Sequence, residues 1–350
     1  MGMKGPLAGS TALLIFCMTS AGAQEQAATD RKEAKAPKSV EDVYQEQHAL
    51  FGRRFVLETG VTYTHSERNR LVLNGFLALN TIFLGEIAVD SVKSDIMTFD
   101  ITGRYGVSDR LQLDLNAPFV ARRTEYRATG VDGDATTAST ATVDDSNVGD
   151  VSAGLNYRLL DEQPGRPDVV LNLRVKGPTG EHPYGVETVT DPNNSNLEYP
   201  KELPTGNGVW ALTTGLSFIK TVDPAILFAN IGYTYNKPED FDDISSSDGD
   251  QPGEVDLGDS VQFGLGTAFA LNREMSISLS YSQRISDDTE TKLDGESWSE
   301  VVGSDANAAT MNFGVTYSLG PHTSLITNIG AGLTDDASDM TVSVKVPYTF

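Results

Sequence analysis

Met340-Thr341-Val342-Ser343-Val344-Lys345-Val346-Pro347-Tyr348-Thr349-Phe350 is the last stretch of the chain, and it alternates. Met340, Val342, Val344, Val346, Tyr348 and Phe350 share one parity, and Thr341, Ser343, Lys345, Pro347 and Thr349 share the other. Successive side chains of a strand point to opposite faces. This is therefore a strand with one apolar and one wetter face, and its apolar face ends on two aromatics.

The same period holds from Arg54 onward. Phe55, Leu57, Thr59, Val61 and Tyr63 open it. Further strands read as 95–106, 110–122, 149–160, 168–177, 208–221, 225–236, 258–271, 274–285, 307–319, 323–333 and 339–350. With the first strand the count is twelve, and an even count returns both ends of an up-and-down barrel to one side. Connections 106–110, 160–168, 221–225, 271–274 and 319–323 are short. Those at 67–94, 123–148, 178–207, 237–257 and 286–306 are long, with 334–338 a short exception. Long loops at one end and tight turns at the other are the asymmetry of a membrane barrel. The expected fold is all-β: a closed transmembrane antiparallel up-and-down β-barrel of about 12 strands with a short N-terminal helix. The run 70–92, with Leu71, Val72, Leu73, Phe76, Leu77, Ile82, Phe83 and Leu84, is too apolar for an exposed loop. It either enters the lumen as a constriction or adds a hairpin, giving about 14 strands.

Listing both faces decides what surrounds the sheet. The apolar parity includes Phe99, Ile101, Leu113, Leu115, Leu171, Leu173, Phe263, Leu265, Leu279 and Phe313. The opposite parity includes Gln112, Asn116, Asn156, Asn172 and a serine series, Ser276, Ser278, Ser280 and Ser282. A soluble sandwich would carry a Lys- and Glu-rich outer surface there. Small hydroxyls, amides and glycines suit a crowded polar lumen, with the apolar face on lipid. Aromatics near strand ends (Tyr63, Tyr105, Tyr157, Trp210, Tyr233, Tyr317, Tyr348) fit interfacial girdles.

The N-terminus is of another kind. Lys4, the apolar run Thr11 to Met18 and Ala21-Gly22-Ala23 read as a secretory signal over 1–23, cleaved before Gln24. The sole cysteine, Cys17, lies inside it, and bulky Phe16 before it excludes a lipoprotein signal. Residues 24–53 read as a periplasmic segment, and 54–350 as the barrel. Within that segment Ser39 looks like an N-cap, with Val40, Val43, Tyr44 and Phe51 at roughly helical spacing. Such a helix either docks at the barrel mouth or plugs it.

The lumen charges are the candidate site: Asp100, Arg104, Asp114, Arg158, Arg174, Lys176 and Arg284. Arg104, Asp114, Arg158 and Arg174 lie on consecutive strands, so they can form a cross-strand ladder. That ladder is either an eyelet favouring carboxylate or phenolate solutes, or an ion-pair network filling a narrow barrel.

Other chemistry is sparse. A net charge of −23 argues against nucleic acid. The acid concentrates in loops, at Asp240, Asp242, Asp243, Asp248, Asp250, Glu254 and Asp256, at Asp287, Asp288, Glu290, Asp294, Glu296 and Glu300, and at Asp132, Asp134, Asp144 and Asp145. These loops either capture cations that bridge to lipopolysaccharide, or are solvated ends that repel one another. None has calcium-loop spacing. His48, His65, His182 and His322 are scattered, and there is no nucleophile elbow or P-loop. No metal, cofactor or enzymatic activity is expected.

Four stretches carry resemblances. Arg104-Tyr105-Gly106-Val107-Ser108-Asp109-Arg110-Leu111-Gln112-Leu113, followed by Asn116-Ala117-Pro118-Phe119, resembles a strand–turn–strand element of the outer-membrane family named for the MetA pathway of phenol degradation. So does Leu173-Arg174-Val175-Lys176-Gly177-Pro178-Thr179-Gly180. Tyr63 to Arg70 more weakly resembles the secretion barrel of functional-amyloid systems. The closing Tyr348 and Phe350 resemble the C-terminal insertion signal of outer-membrane barrels. Together these imply a Gram-negative outer-membrane location, with outer-membrane lipid and the barrel-assembly machinery as partners. They imply passive passage of small solutes, aromatic or anionic ones included. The alternatives are an export conduit for a secreted polypeptide gated by the N-terminal helix, and a structural barrel whose acidic loops bind ions.

Overall fold

A computed structural model describes residues 38–46, 51–77, 82–129, 138–245 and 249–350. The signal over 1–23, the stretch 24–37 and His48, Asp132, Asp134 and Asp248 lie outside the described residues. A helix α1 (Lys38–Glu46) comes first. There follow β1 (Phe55–Leu77), β2 (Ile82–Gly106), β3 (Leu111–Thr129), β4 (Ala138–Val148), β5 (Ser152–Leu160) and β6 (Asp168–Lys176). A small hairpin, β7 (Thr188–Asp191) and β8 (Asn194–Pro200), precedes β9 (Ala211–Val222) and β10 (Ala225–Asn236). After β11 (Glu239–Phe241) and β12 (Gly253–Asp256) come β13 (Ser260–Ala270) and β14 (Met275–Ser286). Then come β15 (Glu290–Leu293), β16 (Ser299–Glu300), β17 (Ala306–Ser318), β18 (Ser324–Gly332) and β19 (Met340–Thr349).

Each long strand pairs antiparallel with its neighbour, and β19 closes on β1 from Val56↔Thr349 to His65↔Met340. In hydrocarbon every backbone amide needs a partner, and closure supplies it. β4 and β5 both pair with β3 and occupy one position in the circuit, so the barrel has twelve positions. Between them the strand is broken. Asn116 pairs with Ser152 and Phe119 with Val148, so Ala117 and Pro118 face three residues, Gly149, Asp150 and Val151. That is a β-bulge, opposite a proline that has no N–H to give the ladder.

The Pro-Thr-Gly turn after β6 repairs this break. Thr179 Oγ1 accepts from Val151 N at 2.8 Å and donates to Gly149 O at 2.8 Å. Asp150 accepts from Gly180 N (3.1 Å) and Asn207 N (2.9 Å). A Cβ at Gly206 would overlap Asp150 Oδ1 and crowd Gly180, so only glycine fits there.

Two expected loops are strands. β1 and β2 remain paired to Leu77↔Ile82, so the described residues of 70–92 extend an existing hairpin and neither add strands nor form a separate constriction. Residues 123–129 likewise lengthen β3, and 138–148 form β4. Val92, Tyr126, Ala128 and Val143 on this tall wall bury themselves against Leu197 and Leu203. A second loop core joins Tyr184, Val209, Ile244, Val255 and Leu257. The acidic loops are ordered into a four-stranded sheet, β11–β12–β15–β16, with Lys292 Nζ 3.2 Å from Glu254 Oε2. There burial and the carboxylates of Asp259, Glu290 and Glu254 push the Asp256 carboxyl up.

The apolar parity faces outward as the alternation predicts. Ile101, Leu115 and Leu265 are among its most exposed members, at 57–58%. Tyr105, Tyr157, Tyr317 and Tyr348 ring the short-turn end, and Trp210, Tyr233 and Tyr235 ring the loop end.

Candidate functional site: the barrel lumen

The lumen is built asymmetrically. Along β1 to β6 the cations Arg104, Arg158, Arg174 and Lys176 are paired. Arg104 Nη2 lies 3.2 Å from Glu58 Oε1, both buried. Arg174 Nη2 lies 2.6 Å from Asp114 Oδ1, while Asn156 donates to Asp114 Oδ2 at 3.0 Å. Arg158 Nε reaches Asp168 at 3.2 Å and its guanidinium lies 4.4 Å above the Phe51 ring. Lys176 Nζ lies 3.3 Å from Asp150 Oδ2. Asp100 accepts from Asn116 Nδ2 at 3.4 Å. The structure therefore brings Arg104, Asp114, Arg158 and Arg174 to the same side, each with a counter-charge.

The opposite wall, β9 to β18, is lined by small groups. Gly232 lies beside Gln262, Gly264 beside Asn230, Gly314 between Ser278 and Asn328, and Gly330 beside Asn312. These glycines share the lumen-facing parity of the serine series on β14. Between the walls, the described residues enclose two stacked cavities. The one toward the loops has about 400 Å³ and is lined by Thr234, Ser260, Ser286 and Thr310, among others. The one toward the short turns has about 300 Å³ and is lined by Asn156, Asn172, Ser217, Asn230 and Gln262, among others. Arg174, Thr213 and Arg284 border both. Arg284 ends the serine series, and its guanidinium donates to Gln262 Oε1 at 3.2 Å.

Helix α1 forms the floor. Ser39 is bonded outward to the β13–β14 turn, with N to Arg273 O (3.3 Å) and Oγ to Asn272 O (2.8 Å), so it anchors the helix to the barrel. Val43 and Phe51 pack with Val170, Ile219, Ile226 and Ala268, an apolar collar inside the short-turn mouth. Tyr44 donates to Glu162 Oε2 at 2.7 Å and lies 2.8 Å from Thr221 Oγ1. Burial, with Glu162 beside it, pushes the Tyr44 hydroxyl up to about 12, so it stays a donor. Burial would push Glu162 up too, but bonds from Tyr44, Thr221 and Lys220 outweigh it and hold that carboxyl below its usual range. Glu46 projects into the lower cavity and accepts from Asn328 Nδ2 at 3.1 Å. Burial raises its carboxyl above the usual range.

At the seam, Phe350 N donates to Phe55 O at 2.9 Å, and its ring lies 5.4 Å from Phe55 and 4.8 Å from Tyr348. The two closing aromatics thus sit where the last strand meets the first. Gln262 belongs to the polar parity read from the sequence and Thr213 follows from the same parity, but nothing local marks Glu46.

Residues 124–350 match the model of the family described as "Putative MetA-pathway of phenol degradation". The chain belongs to this family. The Pro-Thr-Gly stretch lies inside the matched region, and Arg104 to Phe119 lies before it. The fold is similar to that of an outer membrane channel from Pseudomonas putida F1, at 16% identity over 86% of this chain and 97% of that one, with a TM-score of 0.54. Looser similarity extends to the Pseudomonas putida toluene transporter TodX (12% identity, 90% and 92% coverage, TM-score 0.43). The translocator domain of the autotransporter NalP from Neisseria meningitidis is similarly distant (6% identity, 91% and 100% coverage, TM-score 0.45). This protein is a β-barrel of the Gram-negative outer membrane.

Proposed function

We propose that the barrel is a channel for passive passage of small polar solutes, held shut at the short-turn, periplasmic end by α1. One observation carries this: two polar cavities are stacked in the lumen with a common border at Arg174, Thr213 and Arg284. Of the seven lumen candidates, Arg174 and Arg284 lie on that border, and Lys176 lines the upper cavity. The paired charges on the β1–β6 wall fill that side with rigid, neutralised bulk, which leaves the Gly- and Ser-lined side as the route. Cavities of a few hundred Å³ suit small molecules and weigh against a polypeptide conduit.

Planar-bilayer recording of the refolded chain tests the reading. The intact chain should show rare, small openings, and a chain lacking residues 38–46 should conduct steadily. If the shortened, folded barrel stays silent, the lumen is not a route and the reading falls.

A further inference from the structure

We infer that Arg284, with Gln262 and the hydroxyls around it, is a binding station for small solutes bearing a single carboxylate. This rests on the channel reading above and names its substrate class. Arg104, Arg158, Arg174 and Lys176 each have a carboxylate within 4 Å. Arg284 is the lumen arginine bordering both cavities that has no ion-pair partner among the described residues. Its bond to Gln262 uses one N–H of a planar fork that carries five, and a guanidinium presents the others in the geometry of a carboxylate.

The surroundings match that ligand. Ser260, Ser286 and Thr310 line the upper cavity beside Arg284 and offer hydroxyls to a second oxygen. Asn230 and Gln262 line the lower one. The residue series leading to Arg284 on β14 is serine, so nothing bulky competes for the space. Asp287 and Asp336 also line the upper cavity and keep it from becoming strongly positive. The station therefore offers one guanidinium without a direct ion pair in a cavity that also holds two carboxylates, which suits a monoanion better than a dianionic phosphate. Confinement between protein walls strengthens the attraction relative to open water.

Titration calorimetry of the full, folded chain in detergent tests this with benzoate, its neutral isostere benzamide, and inorganic phosphate. Benzoate is expected to bind at one site and benzamide at least tenfold more weakly, with phosphate failing to displace benzoate at equal concentration. Arg284→Gln should weaken benzoate at least tenfold, and Arg284→Lys should retain part of the affinity. Arg284 holds no ion pair, so the heat-modifiable gel shift of the folded barrel should be unchanged. Benzoate affinity that is equal in Arg284→Gln, benzamide bound as tightly as benzoate, or phosphate displacing benzoate each overturns the assignment. Liposome swelling with neutral arabinose separates this from the channel reading. Arabinose entry through the helix-deleted barrel, with Arg284-independent benzoate binding, sinks the station alone. Arg284-dependent binding without any arabinose entry sinks the channel alone.

Discussion

Asn328 on β18 donates to the Glu46 carboxyl on α1 across 3.1 Å, tying the first helix to one of the last strands. Lys345, Glu58 and Arg104 face the same carboxyl from β19, β1 and β2. Burial nevertheless raises its pKa when the helix is docked. A docked carboxyl with a raised pKa takes up a proton on docking, so docking is fully favoured at low pH and weakens as pH rises through the raised value. Open probability in planar bilayers should therefore rise as pH is raised from the acid range through that raised value. Glu46→Gln should stay shut across that range, and a chain without residues 38–46 should lose the dependence. A pH response surviving in Glu46→Gln would assign it to another group.

Asp114 is fully enclosed and serves Arg174 and Asn156 together. Asp114→Ala leaves the guanidinium with a third of its surface open to lumen water, which softens the penalty. The expected loss is about 2–3 kcal/mol in urea unfolding from lipid vesicles. Adding Arg174→Ala should recover part of that loss, and strictly additive effects would refute the coupling.

Thr179 stands in for a missing rung of the ladder. Thr179→Val removes a donor and an acceptor at the β4–β5 break and should cost about 1–3 kcal/mol. Hydrogen exchange at the Val151 amide should accelerate in parallel. Thr179→Ser keeps the hydroxyl and should behave like the natural chain.

Deleting Phe350 removes one backbone bond and two ring contacts at the seam. With ring pairs worth about 1 kcal/mol, folding into vesicles should slow about fivefold. The finished barrel should keep its twelve positions, as read by circular dichroism.

The lipid-facing half of the fold was legible because hydrocarbon penalises polar residues at alternate positions, so Phe99, Ile101, Leu113 and Leu115 declare themselves. Beyond the membrane that constraint ends. Leu71-Val72-Leu73 breaks the period, and the continued pairing of β1 with β2 had no local sign. The acid in 237–257 and 286–306 was visible, but its folding into one sheet depends on Glu254 meeting Lys292, a contact no spacing encodes. At the site, parity assigned Arg284 to the lumen as surely as Arg174. Which of them would be neutralised depended on Asp114 lying two positions around the circuit from Arg174. The helix at Ser39 was legible as a helix, but its seating on Asn272 and Arg273 was not.

Because the ion pairs of Arg104, Arg158, Arg174 and Lys176 lie along β1–β6, the lumen separates the parts that hold it together from the parts that choose its cargo. Residues on β13 and β14 can change from one lineage to the next without unsettling a buried charge. A new preference could then arise through one or two substitutions opposite an unaltered frame. The serine series is in this sense a blank page, on which Arg284 is the present inscription.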